Sequence, residues 1–160
     1  MGTGSRWRFG KRWALAASVA WGSSIVLAVG CAGEDHGIAL HPARGQVLVA
    51  GKPEAGVQVR LHPVGRLQDM DAPRPFAGTE ADGSFDLGTF QAGDGAPAGD
   101  YLVTFFWPGE AQGPAAPPDR LGGKFTNITQ PPARITIREG DNRMEPFRLD
   151  PAAVKPRVGP

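Results

Sequence analysis

Tyr101-Leu102-Val103-Thr104-Phe105-Phe106-Trp107 is the most apolar run downstream of residue 31, and its reading decides the fold. Successive side chains of a strand point to opposite faces. Tyr101, Val103, Phe105 and Trp107 therefore share one face, and Leu102, Thr104 and Phe106 the other. A strand that is apolar on both faces is normally central in its sheet and covered on both sides.

The flanking sequence repeats the strand signature in shorter, one-sided form. Val57, Val59 and Leu61 alternate with Gln58, Arg60 and His62, and Pro63 ends that run. Val47 and Val49 alternate before Gly51-Lys52-Pro53-Glu54-Ala55-Gly56, whose glycines and proline supply turn chemistry. Residues 76–80 and 84–90 are extended on either side of Asp82-Gly83, a dipeptide that predicts a hairpin with positive φ at both central positions. Within the second arm, Leu87 and Phe90 read as core. Ile135 and Ile137 point inward from residues 134–138, and Phe147 and Leu149 close a last strand. Pro146 places that strand at an edge, since proline has no N–H for a ladder. No segment has a helical period. Seven short strands with turn signals between them predict an all-β sandwich.

Length and composition agree. The 160 residues include 23 glycines and 16 prolines, which suits many short strands joined by turns. The formal charge of +1 includes Arg6, Arg8, Lys11 and Arg12, the only charges before Cys31. Without them the chain keeps 13 basic against 16 acidic residues, about −3. A mildly acidic domain without a basic stripe argues against nucleic acid as a partner. The single cysteine excludes an internal disulfide.

Those four basic residues precede WALAASVAWGSSIVLAV (residues 13–29), which carries no charge and leads through Gly30 to Cys31. Basic, then apolar, then small is the layout of an export signal. Leu27-Ala28-Val29-Gly30-Cys31 resembles the bacterial lipobox, whose cysteine is lipidated and becomes the new N-terminus. That pattern prefers Leu three places before the cysteine; here Ala28 holds the place and Leu27 stands one further back. The reading is a signal peptide over 1–30, lipidation at Cys31, a tether over 31–41, a β domain over 42–150 and a disordered tail over 151–160. Its alternatives are an uncleaved membrane anchor and a soluble secreted form. The location it implies is the periplasmic or cell-surface side of a bacterial membrane.

Gly45-Gln46-Val47, Gly51-Lys52-Pro53 and Gly56-Val57-Gln58-Val59 are similar to the first hairpin of carboxypeptidase regulatory-like domains. Thr79-Glu80-Ala81-Asp82-Gly83-Ser84-Phe85, Pro97-Ala98-Gly99-Asp100-Tyr101 and Val103-Thr104 fit the same pattern. Asp119-Arg120-Leu121-Gly122-Gly123-Lys124-Phe125 and Glu139-Gly140-Asp141-Asn142 look like segments of planctomycete-type predicted lipoproteins. The resemblance covers residues 42–150. It implies a seven-stranded, transthyretin-like (prealbumin-like) Greek-key sandwich acting as a non-catalytic accessory module, and it supplies no site residues.

Candidate sites are few. Glu80, Asp82, Ser84 and Asp86 offer oxygens at alternate positions, as calcium loops do, but lack a downstream bidentate acid, so a hairpin turn is the preferred reading. His36, His41 and His62 lack the close spacing that puts two nitrogens on one metal. No G-x-S-x-G elbow is present, and neither catalysis nor a cofactor is expected. Besides the membrane reached through the lipid, two kinds of partner remain. One is an envelope protein; the other is a glycan stacked on Trp107 and Phe106. Residues 119–128 are expected to fold back and cover Leu102 and Phe106 with Leu121 and Phe125; the alternative is that Leu102 and Phe106 stay open as the candidate binding face.

Overall fold

The computed structural model describes residues 37–111 and 113–152. They form eleven strands and no helix, so the described chain is all-β, and no helix in it is long and apolar enough to cross a membrane. The strands are β1 (Leu40–His41), β2 (Ala43–Val49), β3 (Lys52–Pro53), β4 (Gln58–Pro63), β5 (Phe76–Gly78) and β6 (Ser84–Asp86). There follow β7 (Ala96–Pro97), β8 (Gly99–Phe106), β9 (Ala133–Ile137), β10 (Asn142–Arg143) and β11 (Phe147–Leu149). Each of the seven runs read from alternation or from the flanking Asp-Gly turn has its counterpart in β2, β4, β5, β6, β8, β9 or β11. The other four strands are two residues long, too short to carry a period.

One sheet has the order β5-β4-β8-β9, all antiparallel, with the doubly apolar β8 inside it. The other is built on β2, which pairs with β10 and β11 in parallel and with β6 and β3 antiparallel. β11 pairs with β2 alone, the edge position that Pro146 demands. A short β1–β7 pair adds a third sheet. Leu40 and His41 thus belong to the folded domain through Pro97 and Ala96, two residues before the expected start at Pro42.

The two main sheets share one core. Val47, Val49, Phe85 and Leu149 meet Val57, Val59, Leu61, Tyr101, Val103, Phe105 and Ile137 in a single apolar cluster. This arrangement is consistent with a β-sandwich. Aromatic rings join the layers: Phe147 lies edge-on to Phe105 at 5.1 Å and stacks on Phe85 at 6.2 Å.

The Asp-Gly turn differs from its expectation. Glu80 N donates to Ser84 O (2.8 Å) and Gly83 N donates to Glu80 O (2.9 Å). Gly83 alone takes the left-handed conformation, at φ +74°; Asp82 does not. A Cβ on Gly83 would lie 2.5 Å from the Val47 carbonyl oxygen, so both φ and close approach require glycine. Below the turn the arms part, β5 joining β4 in one sheet and β6 joining β2 in the other, and they meet again in the same register where Phe76 and Gly88 exchange two backbone hydrogen bonds (2.8 and 2.9 Å). The turn is therefore a bridge between layers. Leu87 is buried as expected, whereas Phe90 is exposed, because the second arm ends at Asp86 and the chain enters a loop.

Residues 119–125 do fold back, but not onto the face expected. Leu121 (1 % exposed) and Phe125 (6 %) enter the main core beside Tyr101, Phe105 and Trp107. β9 pairs with β8 only as far as Val103. Beyond that point Phe105 N donates to Phe125 O (2.9 Å) and Arg120 N donates to Trp107 O (2.8 Å). The segment thus continues the edge that β9 leaves. Gly122 and Gly123, at φ +66° and +71°, make its bend.

Replacing Leu121 and Phe125 together by Ala is expected to cost several kcal/mol, at roughly 2–5 for each large-to-small change in a core. Urea unfolding checks this; an unchanged midpoint would contradict their burial.

Candidate functional site

Of the acids singled out from the sequence, Asp82 is committed to local geometry. Asp82 Oδ1 accepts from Ser84 N (2.9 Å) and Ser84 Oγ (2.6 Å). These bonds, led by the one from the Ser84 hydroxyl, hold the Asp82 carboxyl below its ordinary pKa. Asp86 stands opposite Arg44 across β2 and β6, while Glu80 lies exposed at the turn. Among the described residues no three His, Cys, Asp or Glu side chains converge to hold a metal ion.

Three other loops use a polar side chain in the same way, and none was read from the sequence. Asp94 accepts from the backbone N–H groups of Thr89 (2.6 Å), Phe90 (3.1 Å) and Gln91 (2.8 Å). Asn142 accepts from Arg138 N (2.9 Å) and donates to Arg138 O and Gly140 O. Asp119 accepts from Trp107 N (2.9 Å) and Leu121 N (3.0 Å) through Oδ1, and from Gly123 N (2.8 Å) through Oδ2. Asp119 opens the returning segment and pins it to the end of β8. Its place before Arg120-Leu121-Gly122-Gly123 was the available signal, since Asp readily hydrogen-bonds backbone N–H groups a few residues on.

Trp107 is closed to a stacked ligand on one face. It is 8 % exposed, its Nε1 donates to Ala55 O (3.1 Å), and the Arg120 guanidinium lies 3.4 Å from the ring centroid. Leu102 is likewise no open surface, at 5 % exposure; Phe106 is half-buried. Leu121 and Phe125 do not explain this, since they join the other face of β8.

The strand registers order the side chains around Leu102. Phe76, Arg60 and Thr104 form one cross-strand row, and His62, Leu102 and Arg134 form the next. Gln58 and Phe106 face each other on one side of these rows, and Asp100 and Thr136 on the other. Leu102 and Thr104 lie on β8 between filled strands, whereas Phe76 on edge strand β5 is 55 % exposed. Thr136 Oγ1 donates to Asp100 Oδ1 (2.5 Å).

His62 is half-buried, with Nε2 at 2.9 Å from Thr104 Oγ1. Burial, then the charges of Arg74 and Arg60, lower its pKa from the ordinary 6.5. Arg74 in turn donates to the Leu67 and Asp69 carbonyls, tying the loop after β4 beside this face. The other histidines lie apart. His41 Nδ1 accepts from Gly140 N (3.2 Å), while His36 lies outside the described residues, as do residues 1–30 and Cys31.

No family model matches the chain, and no curated protein matches it.

Asp119→Ala removes the acceptor for three backbone donors. It is expected to lower stability by roughly 1.5–3 kcal/mol, the range for hydrogen bonds to a charged group. Urea unfolding gives the cost, and faster amide exchange at Trp107, Leu121 and Gly123 locates it.

The lowered His62 pKa sets a pH dependence. Below about pH 6.5 the unfolded chain takes up a proton on this residue that the folded chain resists. Stability therefore falls as pH drops from 6.5 towards the folded pKa. Thermal melts from pH 7.5 to 5 should show this slope, and His62→Gln should reduce it.

Proposed function

We propose that the chain is an exported, non-catalytic lipoprotein of a bacterial envelope, held to a membrane through Cys31 and presenting its β domain as a structural or protein-interaction module. The observation that carries this reading is the order of residues 6–31: four basic residues, seventeen uncharged residues, one glycine and the only cysteine. Lipidation would fix the location through acyl-chain burial, at about 0.8 kcal/mol per CH₂.

Two features support a module over an enzyme. The carboxylates of Asp82, Asp94 and Asp119 are occupied by backbone donors that shape loops, and His62 is bonded to Thr104 between arginines. A general base needs a carboxylate or imidazole aimed at substrate. The proposal includes the finer fold, a seven-stranded Greek-key sandwich of the transthyretin-like, carboxypeptidase regulatory-like kind. Its support is the set of seven longer strands and two sheets around one core. The glycan alternative is weakened, since Arg120 occupies a face of the Trp107 ring that a sugar would stack on.

Cys31→Ser is expected to abolish anchoring, because no other residue offers a thiol for acylation. Detergent partitioning of both proteins after expression in a bacterium tests this. A serine variant that stays with membranes and keeps residues 1–30 would show an uncleaved anchor in place of a lipid.

A further inference from the structure

We propose that the outer face of the β5-β4-β8-β9 sheet docks on an anionic lipid surface, through Arg60 and Arg134 with Phe76 beside Arg60. The proposal rests on the anchored reading above and adds which side of the domain meets the bilayer.

The described ion pairs are Arg44–Asp141, Arg143–Asp141 and Arg66–Asp69. Arg60 and Arg134, like Arg138 and Arg148, therefore have no carboxylate partner among the described residues, although the mature chain carries more acids than bases. Both lie on the outer face of this sheet. Arg60 and Arg134 are exposed and lie in adjacent cross-strand rows. Two strand spacings across and two residues along put them roughly 12 Å apart. Asp100, on the same face, is the diagonal cross-strand neighbour of Arg134 and accepts from Thr136 Oγ1.

The chemistry of the face fits phosphate headgroups. A guanidinium presents a planar fork of donors that matches phosphate oxygens. Basic residues close to a membrane are attracted by its anionic lipids. Phe76, exposed in the same row as Arg60, offers an apolar ring to the headgroup and acyl boundary.

The tether brings the face within reach. Cys31 is nine residues from Leu40, which spans at most about 30 Å of extended chain. Leu40 pairs with Pro97, two residues before β8 begins at Gly99. The chain thus enters the domain at the end of β8 that leads to Leu102 and Arg134.

The test is arginine footprinting with phenylglyoxal, read by mass spectrometry, on the full chain in two kinds of vesicle. One is pure phosphatidylcholine, and the other also contains phosphatidylglycerol. Arg60 and Arg134 are expected to be modified several-fold more slowly on the anionic vesicles, and 0.5 M salt should remove the difference. Arg143 and Arg148, in or beside the other sheet, should not change. Equal rates on both vesicles at low salt, with the chain floating on each, would overturn the proposal and leave the anchor intact. Protection by dextran sulfate without protection by anionic vesicles would overturn it in favour of an acidic polymer. A chain that does not float with phosphatidylcholine vesicles contradicts the anchor. The face is then read from anionic vesicles alone. Flotation lost in the Arg60→Ser/Arg134→Ser variant supports it, and no flotation of the wild type overturns it.

Discussion

The backbone donors of β8 beyond Val103 impose the constraint from which much of the structure follows. A buried N–H without a partner costs free energy comparable to a lost hydrogen bond. β9 serves β8 only up to Val103, yet Phe105 and Trp107 continue into the core. The chain answers with residues 119–125. The Phe125 carbonyl takes the N–H of Phe105, and the Asp119 carboxylate takes that of Trp107. Once the backbone is held there, Leu121 and Phe125 have nowhere to point but into the core, and Arg120 comes to lie on Trp107. The proline-rich residues between Pro108 and Pro118 then need only leave the sheet and return.

The same economy governs the other loops. Asp82, Asp94, Asp119 and Asn142 each accept from backbone N–H groups within or beside their own turn. A loop closed by an ionised side chain is held by charge-assisted bonds, roughly twice as strong as neutral ones. Three acids of this mildly acidic domain, Asp82, Asp94 and Asp119, are thereby held in its loops. Arg60 and Arg134 have no carboxylate partner on the outer face of the β5-β4-β8-β9 sheet, so the distribution of charge matters more for partners than the net charge does.

Local chemistry made much of the fold legible. Period-two alternation located five of the seven longer strands, because strand geometry sends neighbouring side chains to opposite faces whatever lies beyond them, and the Asp-Gly turn located β5 and β6. Tyr101, Val103, Phe105 and Trp107 were identifiable as the core face on that ground alone, and Pro146 placed its strand at an edge. The Asp-Gly dipeptide marked a turn. It could not tell that the two arms enter different sheets, since β5 and β6 are separated by their pairing with β4 and β2.

The candidate site was legible in its residue types and not in its arrangement. The sequence by itself determined that Leu102 and Phe106 leave the core face and that Arg60 and His62 share a side of β4. It also determined that 119–125 has apolar residues to bury. Only the tertiary structure decided that Leu121 and Phe125 join Phe105, that Asp119 caps Trp107 twelve residues away, and that Leu40 pairs with Pro97. The reason is one of range. Alternation and turn propensity act over a few residues, whereas the choice between two apolar faces depends on which backbone donors remain unsatisfied once every sheet has formed.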